Sequence, residues 1–201
     1  MQDGWSIKRL IRALVLTRTY QQSSECSPAT QAADPENRLL TRHLRQRLNA
    51  EALRDAMLAA TGDLDPQPAQ GSLIQRSNVL INELGSLHQP SHHRSVYLLM
   101  LRNSMPPELT PFNLPDGTTV TGRRDSTTLP TQALYLLNSP FLIQQSQRFS
   151  ARLAESFPQD EARVREAYRR ALARDPSASE TRRALDFIRE ADLSLVSSQN
   201  D

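Results

Sequence analysis

Cysteine, lysine, glycine and aromatic side chains are all scarce in this chain of 201 residues. The single cysteine, Cys26, excludes an internal disulfide, a CxxCH haem attachment and a cysteine-based zinc site. Aromatics make up 5% of the chain against 38% hydrophobic residues, which favours aliphatic helix packing over an aromatic-rich sheet. Lys8 is the only lysine among 24 basic residues, so the other 23 are arginines. Guanidinium suits phosphate and carboxylate, but 22 acidic residues interleave with the arginines and leave a net charge of +2. That balance argues against a nucleic-acid surface. No run approaches the roughly 18 apolar residues of a membrane span, and the opening MQDGWSIKRL is too polar for a signal peptide. Phosphate-binding glycine loops, a GxSxG elbow, HExxH and a calcium loop are absent as well. Their absence lowers the case for an enzyme without removing it, because two carboxylates on separate loops leave no spacing signature.

What is present reads as helices. Ser6 caps a helix on which Ile7, Leu10, Ile11 and Leu14 share one face, with Lys8, Arg9 and Arg12 opposite, ending near Tyr20. Asp34-Pro35 signals a helix start, with Leu39, Leu40, Leu44 and Leu48 as its stripe. Asn49 caps the next helix, which turns Leu53, Ala56, Met57 and Ala60 inward and stops at Gly62. Residues 62–93 read as a flexible or inserted segment. Val96 to Leu101 is the best strand candidate, paired with Thr118 to Thr121; a buried helical turn is the alternative. Four prolines between Pro106 and Pro115 forbid regular structure there. Helices then start at Pro130 and Pro140, the second with Phe141, Leu142, Gln145, Phe149 and Leu153 inward. Another runs from Asp160 to Arg174, and the last opens on the capping box Ser177-x-x-Glu180. The expected fold is mainly α, an irregular helical bundle with a long proline-rich loop and at most one small β element. Residues 1–201 form one helical domain in this reading.

The most varied chemistry lies between Arg94 and Phe141. Arg123 and Arg124, beside the hydroxyls of Ser126, Thr127 and Thr128, can hold an anion, with Asp116 or Asp125 as a carboxylate. The same arginines can equally tie the long loop to the bundle through helix C-termini and carboxylates. The candidate anion or partner contacts are Arg94, Arg102, Asp116, Arg123, Arg124, Gln132 and Asn138; no catalytic residue and no metal ligand is assigned. Glu51 and Asp55 share a helix face at i, i+4, next to Arg54, and read as solvated or salt-bridged. His88, His92 and His93 flank a proline in a loop, without the converging further ligands that zinc needs.

Six ordered blocks carry a resemblance: DGWSIKRLIRALVLTRTYQQSS, DPENRLLTRHLRQRLNAEALRDAML, RSVYL, PFNLPDG, GRRDSTTLPTQALYLLNSPF and YRRALARDPSASE. Together they resemble the C-terminal part of the planctomycete cytochrome-associated domain family of unknown function, number fifteen fifty-three of its series, over most of residues 3–190. The resemblance implies the tail of a larger exported or periplasmic protein, with a haem-c domain upstream and a sulfatase-like protein as neighbour. It places no cofactor in this chain. The segment SLIQRSNVLINELGSLHQPSHH matches none of the blocks, and His93 stands where a second arginine is expected beside Arg94. Two readings follow: a non-catalytic helical interaction module docking the upstream domains, or a subdomain of a hydrolytic or polysaccharide-processing enzyme with an arginine-based anion site.

Overall fold

The structure is a computed structural model that describes residues 4–68, 88, 90–101, 104–115, 117–120, 122, 124 and 127–198. Among these it is mainly helical, with no strand or sheet and only two isolated bridges, Asp65 with His93 and Leu101 with Ser104. Its contacts fall into two compact units, Met1–Arg47 and Leu48–Asp201.

In the first unit α1 spans Ile7–Val15, with the Ser6 side chain accepting from the Arg9 N–H as expected of its cap. It ends before Tyr20, where Thr17 turns the chain by bonding the Leu14 carbonyl. A short α2, Pro28–Ala33, begins with Ser27 as cap and proline at the first turn. The sequence signals no helix here and places one after Asp34 instead. Residues 34–49 are irregular. The Asp34 carboxylate accepts from the Arg38 and Leu39 N–H groups at 2.8 and 2.9 Å. Arg42 donates to the carbonyls of Asp34 and Pro35, and the Asn37 carboxamide bonds the Arg42 backbone at both ends. Side chains thus satisfy the groups that a helix would have paired. Asn37 and Leu40 both sit at φ +53, which ends any helical run.

In the second unit α3 spans Ala50–Thr61, capped by the Asn49 side chain and closed by Gly62 at φ 76. Its buried face is Ala50, Arg54, Leu58 and Thr61, not the predicted stripe, and Ala56 is exposed. The stripe was assigned from apolar residues alone, whereas the helix turns an arginine inward. The α4 helix, Pro130–Asn138, packs on α5, Pro140–Ser156, and α5 packs on α3. The expected α5 face is the one observed, with Gln145 and Leu153 buried and Phe141, Leu142 and Phe149 half-buried. Helices α6, Asp160–Leu172, and α7, Ala178–Ser198, form a hairpin against α3 and α5 through α6. The predicted capping box is present: Glu180 accepts from the Ser177 N–H and Ser177 Oγ from the Glu180 N–H.

The strand expected at Val96–Leu101 does not form. Ser95–Tyr97 is a 3-10 turn, so the alternative of a helical turn holds at its start, but Val96 and Tyr97 are exposed and only Ser95 is buried. Of its expected partner, 118 and 119 form bends, Val120 has no regular structure and Thr121 lies outside the described residues. A second 3-10 turn, Thr110–Phe112, breaks the proline loop, with Pro106 and Leu109 fully buried beneath it. Phe112 meets Tyr135 of α4 edge to face at 5.5 Å, which anchors this loop to the bundle.

Candidate functional site: the charged face of α3 and its neighbouring cleft

The carboxylates of α3 and its C-terminal turn gather arginines from distant parts of the chain. Glu51 holds Arg124 in a two-pronged pair at 2.6 and 2.9 Å. One turn later, Asp55 Oδ1 accepts from the Ser95 N–H and hydroxyl, both at 2.7 Å, and its Oδ2 lies 3.6 Å from Arg94 Nε. Past Gly62, the nearly buried Asp63 carboxylate receives Arg148 and Arg152 of α5, each at 2.6 Å, with His92 Nδ1 at 3.7 Å. The i, i+4 spacing that made Glu51 and Asp55 neighbours on one face therefore binds two loop segments to it.

Arg54 occupies the centre of this arrangement, 3% exposed. It donates to the carbonyls of Ser91 and His93 and to Ser95 Oγ, and its guanidinium lies 5.6 Å from the centre of the Phe141 ring. Burial pulls its pKa down, opposed by the charges of Glu108 and Asp55. Arg124 lowers the pKa of Glu51 chiefly by hydrogen bonding. For Asp63, burial pushes the pKa up, but Arg148, Arg152 and His92 outweigh it and the net shift is downward.

Beside Arg54 opens a cleft of about 580 Å³, whose lining includes Ser91, His92, Glu108, Phe141, Gln144 and Gln145. One carboxylate, one imidazole and several amides face a partly apolar floor, a set that can hydrogen-bond a neutral polar ligand.

Of the residues expected at the site, Arg94 and Arg124 come together on α3, at Asp55 and Glu51. Gln132 is buried and ties the start of α4 to the proline-rich loop, donating to Asn113 Oδ1 and the Thr127 carbonyl while accepting from the Leu129 N–H. Asn138 donates to the Leu134 carbonyl of its own helix. Arg102, Asp116, Arg123, Asp125 and Ser126 lie outside the described residues. The three histidines have separate neighbours: His88 meets Ser104, His92 meets Asp63, and His93 lies 3.3 Å from Asp65. Sequence reading missed Asp63, Arg148, Arg152 and Glu108 as members of the cluster. Their spacing of up to 89 residues carries no local signal.

A family model described as PSD1, protein of unknown function (DUF1553), matches residues 1–188. The chain belongs to that family. The PSD1 match covers the first unit and the second as far as residue 188, and with them α3, the arginines it gathers and the adjoining cleft. Comparison with curated proteins and with solved structures found no match.

Proposed function

We propose that this PSD1 chain is a non-catalytic helical interaction module that docks against upstream domains of an exported, cytochrome-associated parent protein. The observation that carries this reading is the outer face of α4. Leu134 and Leu137, three residues apart and so on one side of the helix, are 57% and 75% exposed. Leu129 and Ile143 extend the apolar surface on either side. An apolar face of this kind marks a contact surface. The arginines support the same reading, because Arg124, Arg148 and Arg152 are engaged by carboxylates of their own chain. Such pairs tie a scaffold together and compete with any anionic substrate.

The occupant proposed for the α4 face is the upstream segment of the parent protein, whose own haem-c domain would carry the redox chemistry. A sulfatase-like neighbour protein is the second candidate partner. Tagged chain is expected to retain the upstream segment at micromolar concentration, and Leu134→Asp with Leu137→Asp to release it. Failure of the unmodified chain to retain it removes the main support.

The cleft at Glu108 and His92 favours one other reading, a subdomain of a hydrolytic or polysaccharide-processing enzyme. In that case Glu108→Gln abolishes turnover while leaving partner capture intact. Arg124→Ala separates the arginine-based form of this idea from the scaffold role, since a scaffold contact alters stability and not turnover.

A further inference from the structure

We propose that α1 binds the surface of an anionic lipid bilayer, lying in the headgroup plane with its apolar stripe downward. The helix is sharply two-sided. Ile7, Leu10, Ile11 and Leu14 form one face, and all four are more than half exposed. Trp5, at the entrance to the helix, is 86% exposed. Lys8 and Arg12 project from the other side, Arg9 shares it, and Arg18 follows. No acidic residue occurs from Gly4 to Ser24, whereas Lys8, Arg9, Arg12 and Arg18 all fall there.

Both halves of this pattern are used at once by a planar anionic surface. An apolar stripe, an indole at the boundary and cations on the polar face define helices that lie in a membrane interface. Tryptophan prefers the headgroup level, where its ring is part apolar and part wet. A protein groove would cover the stripe but would use the cations only where acidic residues rim it. Pairing two copies through the stripe would bring together two units that each carry eight Lys or Arg against four Asp or Glu in residues 1–47. Nine residues of helix reach roughly 13 Å, well short of a hydrocarbon core of about 30 Å. Among the described residues no helix is long and apolar enough to cross a membrane, so the contact is interfacial.

Trp5 is the only tryptophan in the chain and, lying just before the Ser6 cap, reports on this end of the helix. The experiment titrates the full chain with vesicles of phosphatidylcholine, with and without about one-third phosphatidylglycerol, following tryptophan emission and co-sedimentation. The expected result is a blue shift and sedimentation with the anionic vesicles only, weakening as salt rises. Replacing Lys8→Gln and Arg12→Gln together should lower partitioning roughly 25-fold, at about fivefold per cation. Leu10→Asp should abolish the shift. If Leu10→Asp changes the circular dichroism of the free protein, the Lys8 and Arg12 pair decides, since neither side chain is buried. Emission that anionic vesicles leave unchanged overturns the proposal. So does equal binding to neutral vesicles, or a blue shift that grows with protein concentration alone, which would mean that a second copy covers the stripe.

Discussion

Arg54 shows how one residue organises its surroundings. A buried guanidinium is stable only where its donors are met. Here two carbonyls, one hydroxyl and an aromatic face meet it, all brought in from loop or helix segments outside α3. Arg54→Met keeps much of the volume but leaves the Ser91 and His93 carbonyls without their donor. The expected cost is on the order of 3 kcal/mol, read as a lower midpoint in urea unfolding. Arg124 is different, because its pair with Glu51 is partly solvated. Arg124→Ala should cost no more than about 1 kcal/mol at neutral pH. The folded-state pKa of Glu51 is depressed, so its contribution is present above the unfolded value and lost as pH falls through the folded one. The stability difference between the parent chain and Arg124→Ala should therefore shrink below about pH 4, measured by denaturation at a series of pH values. A difference that grows toward acid would contradict the pairing. The arginines that now look purposeful could not be assigned from sequence. Arg148 and Arg152 sit on an ordinary amphipathic helix, and only the fold brings them to Asp63, 85 and 89 residues away.

At the scale of the element, local signals worked where the backbone alone decides. Asn49, Gly62 and the Ser177 with Glu180 box each bound a helix where the residues say they should. Gly62 does two things, since it adopts the left-handed conformation and leaves room for Arg152. An added Cβ would lie 2.6 Å from Arg152 Nη1, at a backbone φ of 76. Gly62→Ala should destabilise by about 1 kcal/mol or more, measurable by thermal unfolding, with loosening of the Arg152 to Asp63 contact. The signals failed where side chains compete with the backbone. Asp34-Pro35 has the composition of a helix start, yet the carboxylate bonds the amides four and five residues on and folds the segment into a knot. The inward face of α3 differs from the expected one for a related reason: an arginine whose two terminal nitrogens are hydrogen-bonded can be buried in place of an alanine or methionine. The strand expected near Val96 is apolar enough, but among the described residues there is no ladder for it to join.

For the whole molecule, the helical class and the second-unit helices α3 to α7 were legible because capping residues and apolar periodicity are local. The cleft and the charged face of α3 were not, because they are products of tertiary approach. Charge is also unevenly distributed, with the excess of cations concentrated in residues 1–47. In the larger unit Arg124, Arg148 and Arg152 pair with carboxylates of the same unit, and α4 presents apolar residues. The proposed docking face is therefore α4. It is tested by amide hydrogen exchange of the chain with and without the proposed upstream segment. Slowed exchange is expected across Pro130–Asn138 and the start of α5, with Glu51 to Asp55 unchanged. Binding that leaves α4 exchanging at its free rate, or no binding at all, would contradict it.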